Sequence, residues 1–236
     1  MFGVGDGLAA SALDLLLPRS CAGCANPGAR VCDACLVDLA DLRLSRSAGR
    51  AVQVRPDPCP DPWPPCYAWG RYEGVSARLL RAAKDGGRRD VLSLLAVLLA
   101  HSLAAALAGA GGEALVIPAP SAPRTRRARG DHPVHTLGQQ ALRHLDVDRP
   151  LRDVLATARG VSDQARLGQA ERWANLSEAV VVRPRFRSIV RGQRVVLIDD
   201  VVTSGATMAA CARACRDAGA REVRAATVLA ARRGHP

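Results

Sequence analysis

The thirteen residues 195–207 (VVLIDDVVTSGAT) place carboxylates and hydroxyls in an order that suits a phosphorylated sugar. The run 195–198 has the composition of a strand buried on both faces. Asp199 and Asp200 follow it. Because a buried strand centre does not tolerate unpartnered carboxylates, both are expected at the strand's carboxyl end, where α/β sheets bind ligands. The candidate ligand-binding residues that come next are Val201, Thr203, Ser204, Gly205, Ala206 and Thr207.

This loop precedes a predicted helix, and its chemistry matches a phosphate group. Backbone N–H groups at a helix amino terminus point at a bound anion, and the helix dipole favours its negative charge. Gly205 permits close approach of the backbone, while the hydroxyls of Thr203, Ser204 and Thr207 add donors. Asp199 and Asp200 would repel a phosphate, so they are expected to face ribose hydroxyls with Mg²⁺ nearby. An ordinary strand–helix turn is the alternative, and the Lys of a Walker loop is missing.

Four cysteines near the amino terminus form two CxxC pairs, namely Cys21, Cys24, Cys32 and Cys35. Each pair can present two thiolates to one tetrahedral Zn²⁺ ion, and four thiolates leave no open position, so the predicted site is structural. A redox role is the alternative, although stable disulfides are disfavoured in a cytosolic protein. Cys59 and Cys66 do not complete a second set of four, and are interpreted as a remnant of one or as small buried residues.

The elements that must position these residues alternate between short apolar runs and helical patterns from residue 113 onward. The predicted strands are 114–118, 151–155, 195–198 and 223–229, and the predicted helices are 137–144, 164–176 and 207–218. Strands alternating with helices predict an α/β fold with a parallel sheet flanked by helices. Gly219 is expected to cap the last helix, on which Cys211 and Cys215 are expected to pack into the core.

Composition and proline content suggest two parts. Residues 1–66 are predicted to hold a short helix, the cysteine module and a Pro-rich linker, and residues 67–236 the main domain. The prolines between Pro56 and Pro65 cannot sustain a helix or a central strand. Hydrophobic residues make up 48% of the chain but aromatic residues only 3%, so the core must be built from Ala, Val and Leu.

The net charge of +11 is carried almost entirely by arginine, since Lys84 is the only lysine among 33 basic residues. Such a surface suits phosphate-rich ligands, or reflects a GC-rich genome. A single retained lysine suggests a position that needs a compact charge, which makes Lys84 a candidate ligand-binding residue. No secretory signal is recognised, and the apolar stretch 91–110 is rich in Ala and interrupted by His101. We therefore expect a buried helix there and a cytoplasmic protein without a membrane span.

The segment 195–207 resembles the binding motif for 5-phosphoribosyl-1-pyrophosphate (PRPP) of type I phosphoribosyltransferases at all thirteen positions. The resemblance implies a type I phosphoribosyltransferase fold and a requirement for Mg²⁺. It also implies that Asp199 and Asp200 contact the ribose hydroxyls, and that residues 203–207 hold the 5-phosphate.

Two further loops are expected from the same resemblance. A pyrophosphate-binding loop follows the first core strand in this fold, and Pro120 and Ser121 stand at that place. An arginine-rich segment comes next, at the position of the mobile catalytic loop. There Arg127 and Arg129 would stabilise the pyrophosphate leaving group, since guanidinium groups match phosphate oxygens. A solvated basic loop and a DNA-contacting patch are the alternatives.

A four-cysteine module ahead of such a domain is similar to the ComF family, named for its bacterial competence members. The resemblance rests on the cysteine pairs and the basic turn around Lys84. It extends to residues 116–120, Arg129-Gly130, Asp163-Gln164, residues 195–207 and, more loosely, residues 171–175. Many members have Arg-Gly-Phe-Asn-Gln where this chain has Arg-Gly-Asp-His-Pro at 129–133. In this departure the chain resembles an arginine-rich actinobacterial branch of the family.

Two functions fit these observations. The first is Mg²⁺-dependent transfer of phosphoribosyl from PRPP to an unidentified base or amine acceptor, linked to DNA uptake or nucleotide salvage. The second is a non-catalytic sensor of PRPP or nucleotides that binds single-stranded DNA through its basic face, with DNA-uptake proteins as further partners. A dimer is compatible with either function.

Overall fold

The computed structural model describes residues 20–47, 50–84, 87–111, 113–120, 133–148, 151–157 and 180–231. The chain divides into two compact units. The smaller one comprises the residues up to Leu42 together with Glu73–Leu92, and the larger one comprises Arg43–Tyr72 and the residues from Ser93 onward. The division predicted at residue 66 stays a prediction.

The larger unit contains a five-stranded sheet. Its strands are β1 (Val52–Val54), β2 (Cys66–Arg71), β3 (Leu115–Pro118), β6 (Arg194–Val202) and β7 (Glu222–Ala230). They lie in the order β1-β2-β7-β6-β3, with β1 antiparallel to β2 and all other neighbours parallel. Two short strands, β4 (Leu155–Thr157) and β5 (Val180–Val182), form a separate antiparallel pair.

The helices in the described part of the chain are α1 (Asp33–Asp41), α2 (Gly74–Lys84), α3 (Arg89–Gly109), α4 (Pro133–His144), α5 (Arg187–Val190) and α6 (Ala206–Asp217). A 3₁₀ turn, Pro184–Phe186, precedes α5. Helix α3 is long and apolar enough to cross a membrane, but 56% of that stretch is buried inside the protein, as in the core helices of many soluble proteins. The mostly parallel sheet and its helices confirm the predicted α/β class.

Most predicted elements from residue 113 onward are confirmed, with shifted ends. The predicted strands 114–118 and 223–229 correspond to β3 and β7, and the predicted helices 137–144 and 207–218 correspond to α4 and α6. Gly219, with a φ of 87°, follows the carboxyl end of α6 in the left-handed conformation expected of a capping glycine. The predicted helix 164–176 and the apolar helix near the amino terminus lie outside the described residues.

The predicted extent of the strand at 151–155 was wrong. Only Leu155 belongs to a strand, because β4 begins where β5 offers a partner, with Leu155 opposite Val182. The strands β1 and β2 were not predicted. Their short apolar runs stand on either side of the prolines, which obscured the pattern in the sequence.

The core of the larger unit is built from small and aliphatic side chains, as the composition predicted. One cluster packs the sheet against α6 and includes Leu197, Met208 and Ala225. Cys211 and Cys215 lie fully buried in the same cluster, which confirms their predicted packing role.

Candidate functional site

The two consecutive aspartates lie within the last four residues of β6. The strand continues past them to Val202, because Asp199 and Val201 stay in register with Thr227 and Leu229 of β7. The aspartates therefore lie near the carboxyl end of a parallel strand, as predicted, but inside the strand rather than after it.

Asp199 and Asp200 occupy different environments, because successive strand residues point to opposite faces of a sheet. Asp199 is half-buried, and its Oδ1 accepts a hydrogen bond from the Asp200 N–H at 2.8 Å. It shares a face with Leu197, on the side where α6 packs. Asp200 is only 3% exposed and shares the other face with Ile198. Asp199 is thus the aspartate that faces the loop and α6.

The loop after β6 leads directly into the amino terminus of α6. Gly205, with a φ of 80°, is the residue before the first helical turn, and it has no side chain that could cap the helix. The Gly205 carbonyl accepts the first helical hydrogen bond from Ala209 at 2.9 Å. The Ser204 Oγ accepts a long hydrogen bond from the Ala206 N–H at 3.5 Å. The first N–H groups of α6 therefore face the loop, in the arrangement that binds anions.

The loop encloses a small cavity of about 30 Å³, which is room for a water molecule or two. Its lining includes seven of the predicted PRPP-binding residues, namely Asp199, Val201, Thr203, Ser204, Gly205, Ala206 and Thr207. Asp200 does not line it. The structure thus brings one carboxylate, three hydroxyl side chains and a helix amino terminus around one space. We call residues 203–207 the phosphate loop, after the ligand that the sequence predicts for them.

The outer side of the phosphate loop packs against the Pro-rich segment 56–65. A Cβ atom at Gly205 would lie 2.6 Å from Cζ3 of Trp63 and 2.8 Å from Cγ of Pro56. Trp63 is held in place by its indole N–H, which donates to the Val54 carbonyl at 3.3 Å. Arg213 of α6 donates to the Asp61 carbonyl at 2.6 Å. The segment interpreted as a linker from its prolines therefore packs against the loop, although none of its residues lines the cavity.

Two buried thiols lie on the same side of β6 as Asp199. Burial, reinforced by the nearby Asp199 carboxylate, raises the pKa of the Cys66 thiol to about 12, although a hydrogen bond with Thr227 opposes this rise. Burial also raises the pKa of Cys211 well above its usual value, and Asp199 adds to that effect. Both thiols are protonated at neutral pH, so they are packing residues rather than nucleophiles.

The remaining predicted ligand-binding residues are only partly described. Pro120 is half-buried just after β3, where Ala119 extends the pairing by donating to the Ile198 carbonyl at 2.8 Å. Lys84 is the last residue of α2 in the smaller unit, and its side chain is half-buried. Ser121, Arg127 and Arg129 lie outside the described residues.

The smaller unit carries the cysteine cluster. The Sγ atoms of Cys21, Cys24, Cys32 and Cys35 all lie within 4.8 Å of one another. Those of Cys24 and Cys32 are 3.6 Å apart, close to the ~3.8 Å edge of a tetrahedron with Zn–S bonds of about 2.3 Å. No disulfide joins any cysteine, and all eight lie in the described part of the chain. The cluster is compatible with structural zinc.

Backbone N–H groups surround one sulfur of this cluster. The N–H groups of Gly23 and Cys32 each donate to the Cys21 Sγ at 3.3 Å. Burial raises the pKa of the Cys21 thiol, but the backbone N–H groups outweigh it and lower the pKa to about 6. Burial, with the neighbouring thiols, raises the pKa of Cys35. N–H donors around one sulfur favour its negative charge, which suits a coordinating thiolate.

Contacts with neighbouring residues hold the cysteine loops in place. A Cβ atom at Gly23 would lie 2.6 Å from the Cys35 Sγ, so no larger residue fits there without a shift. Two arginines bind carbonyls of the first loop: Arg78 Nε donates to Gly23, and Arg88 donates to Ser20 at 3.0 Å. Arg88 is itself paired with Asp90 at 2.7 Å.

Part of the chain is similar to a known domain. Residues 136–236, which include β6, the phosphate loop and α6, match the phosphoribosyl transferase domain. No curated protein matches the chain.

Several solved structures are similar to the chain. The allosteric regulatory enzyme of purine biosynthesis is 23% identical over 58% of this chain, with a TM-score of 0.35. Glutamine PRPP amidotransferase from B. subtilis is 23% identical over 57%, also with a TM-score of 0.35. In each case the matched region spans only 26% of the other protein. The hypoxanthine phosphoribosyl transferase of Trypanosoma cruzi is 15% identical over 61% of this chain and 68% of its own, with a TM-score of 0.39.

The family match and the geometry concern the same residues. The matched range contains every residue that lines the phosphate-loop cavity. Over residues 136–236, the chain is thus similar to the phosphoribosyl transferase domain.

Proposed function

We propose that this protein binds PRPP with Mg²⁺ and transfers its phosphoribosyl group to a nitrogenous acceptor, releasing pyrophosphate. The observation that carries the proposal is the phosphate-loop cavity, where Asp199, three hydroxyl side chains and the amino terminus of α6 meet within the matched domain. A phosphate would bind the N–H groups and hydroxyls, while Asp199 would bind ribose hydroxyls.

For this transfer the protein mainly has to hold PRPP in place and neutralise the negative charge of the leaving pyrophosphate. The acceptor nitrogen forms a bond to C1 of the ribose as the bond from C1 to the pyrophosphate oxygen breaks, and the pyrophosphate leaves with that electron pair. An acceptor nitrogen that carries a proton releases it to the solvent. The phosphate loop would hold the sugar in place, and Arg127 and Arg129 would neutralise the leaving group. Pro120, Ser121 and Lys84 are proposed as further PRPP-binding residues.

Carboxylate oxygens are suitable ligands for Mg²⁺. The ion is usually coordinated by one or two protein carboxylates together with substrate phosphates and several waters. Asp199 offers such oxygens at the wall of the cavity, and Asp200 is the second acidic residue of the motif. When bound, the ion would neutralise charge on the pyrophosphate.

We further propose that the cysteine cluster holds a structural Zn²⁺ ion, and that the chain is a ComF-type protein of the cytoplasm. The support for zinc is the set of four converging thiols with N–H donors on Cys21. The support for ComF is the presence of this cluster in one chain with the transferase-like domain. A link to DNA uptake or to nucleotide salvage belongs to the same proposal.

The binding half of the proposal is tested by calorimetry with PRPP and Mg²⁺. Wild type should bind, and the variant Asp199→Asn/Asp200→Asn should lose most of that affinity. The exposed pair Asp38→Asn/Asp41→Asn on α1 is a matched control for charge, since it lies in the other unit. Unchanged affinity in the Asp199/Asp200 variant would refute the site.

The catalytic half is tested by pyrophosphate release across a panel of purines, pyrimidines, pyridines and amines. Release that requires PRPP, Mg²⁺ and one acceptor establishes transfer. If no acceptor gives pyrophosphate release although PRPP binds normally, the result favours a sensor of PRPP.

A second candidate function, binding of single-stranded DNA, is favoured by the residues just before β6. Arg185, Arg187 and Arg191 are exposed there, at the end of the strand opposite to the phosphate loop. Arginines bind phosphates without sequence preference, and such binding weakens with salt. Replacing the three by Gln should weaken binding of an oligonucleotide and lower its salt dependence. An unaltered salt dependence would exclude this surface.

A further inference from the structure

A second cavity, of about 380 Å³, lies between β1 and the Pro-rich segment of the larger unit. Its lining includes Gln53, Arg55, Cys59, Pro60, Asp61 and Trp63. This volume lies in the range of small-molecule sites and is far larger than the phosphate-loop cavity. None of the predicted PRPP-binding residues lines it.

The walls of this cavity offer three kinds of contact. Trp63 offers an aromatic surface whose orientation is fixed by its bond to the Val54 carbonyl. Arg55 offers a guanidinium group and Asp61 a carboxylate, and both residues are exposed. Within the described part of the chain, no ion pair or hydrogen bond engages either charged group. A cation and an anion thus stand at one cavity beside a flat apolar side chain.

We propose that this cavity binds a planar heterocycle that carries both an acidic group and an N–H donor. The ring would pack against Trp63, as flat ligands do on aromatic side chains. The acidic group would accept hydrogen bonds from Arg55, whose fork of donors matches a carboxylate. The N–H group would donate to the Asp61 carboxylate. A purely anionic ligand fits less well, because Asp61 would repel it.

The cavity is connected to the phosphate loop through shared side chains. Pro60 and Trp63 line the cavity, and both also lie against Gly205 of the phosphate loop. A ligand that shifts this wall changes the room available to the loop, and a ligand in the loop must change affinity in the cavity by the same factor. This coupling rests on the proposed function, whereas binding in the cavity does not.

Binding is tested by calorimetry on the full chain with three bicyclic probes. Indole-2-carboxylate has the ring, the acid and the N–H. Benzofuran-2-carboxylate replaces the ring N–H by an oxygen, and indole-2-carboxamide replaces the charged carboxylate by a neutral amide of similar shape. Indole-2-carboxylate should bind, and each of the other two should bind roughly tenfold more weakly, since each loses a charge-assisted hydrogen bond. Equal affinity for all three probes, or no binding of any, would overturn the proposal.

Two variants assign the contacts. Arg55→Gln should abolish the preference for carboxylate over carboxamide, and Asp61→Asn should abolish the preference for indole over benzofuran. The matched controls Arg50→Gln and Asp57→Asn change exposed residues of the same charge that do not line the cavity, and should keep both preferences. Preferences that persist in Arg55→Gln and Asp61→Asn would place the ligand elsewhere.

The coupling is measured by repeating the titration with saturating PRPP and Mg²⁺. The affinity for indole-2-carboxylate should change about fivefold or more, in either direction. An unchanged affinity would overturn the coupling. Loss of probe binding with normal PRPP binding contradicts this inference alone. Normal probe binding with no PRPP binding contradicts the proposed function alone.

Discussion

The contact between Gly205 and the Pro-rich segment yields a prediction whose size can be worked out from the structure. Gly205 has a φ of 80°, so any other residue there adopts a left-handed conformation at a cost of about 1–2 kcal/mol. An added Cβ would also lie 2.6 Å from Trp63 and 2.8 Å from Pro56. Overpacking of this kind costs about 1–3 kcal/mol more. Gly205→Ala should therefore lower the free energy of unfolding by about 2–5 kcal/mol.

Gly192→Ala is the matched control. Gly192 has a φ of 75°, almost that of Gly205, but an added Cβ there would meet nothing within 4 Å. Gly192→Ala should lower the free energy of unfolding only by the cost of the left-handed backbone conformation, about 1–2 kcal/mol. Urea unfolding followed by circular dichroism measures both variants, with equal m-values required for the comparison.

The overpacking cost of Gly205→Ala can be tested separately from its backbone cost. Trp63→Phe removes the indole atom that an added Cβ would approach most closely. In that background, Gly205→Ala should destabilise less than it does in wild type, by a coupling of about 1 kcal/mol or more. Equal losses for Gly205→Ala and Gly192→Ala, with no coupling to Trp63→Phe, would refute the packing of the Pro-rich segment on the phosphate loop.

Three further predictions follow from the same structure. Asp199→Asn should weaken PRPP binding in calorimetry more than Asp200→Asn, because only Asp199 lines the cavity; the reverse order would contradict the assignment of faces. Metal analysis should find one zinc per chain in wild type and in Cys59→Ser but not in Cys21→Ser, and zinc retained in Cys21→Ser would exclude the cluster as its site. Burial raises the pKa of Cys66 to about 12, so above about pH 9 the unfolded thiol loses its proton first and stability falls by about 1.4 kcal/mol per pH unit. Urea unfolding between about pH 8 and pH 10 should show that Cys66→Ala removes this contribution to the fall of the unfolding free energy with pH. An unaltered pH dependence would mean that Cys66 is not buried.

The phosphate loop was predictable from the sequence because its signals are local. A run of apolar residues, two carboxylates and a loop of Thr, Ser and Gly stand within thirteen positions, and strand, loop and helix follow one another in that order. The cysteine cluster was predictable for the same reason, since its four ligands come from two short turns.

The packing of the Pro-rich segment on the phosphate loop was not predictable, because it depends on contacts between distant residues. Trp63 and Gly205 are separated by well over a hundred positions, and nothing in a proline run indicates what it packs against. A lone Trp among prolines was the only local signal. The different environments of Asp199 and Asp200 were equally hidden, since they depend on the register of β6 with β7 and on the position of α6.

The central claim is that the phosphate loop binds the 5-phosphate of PRPP. The most direct measurement is a competition titration of the wild-type protein with PRPP and Mg²⁺ in the presence of ribose 5-phosphate or ribose. The account predicts that ribose 5-phosphate displaces PRPP and that ribose does not, because only the former carries the group that the amino terminus of α6 binds. PRPP binding that ribose 5-phosphate leaves unchanged, or no PRPP binding at all, would contradict it.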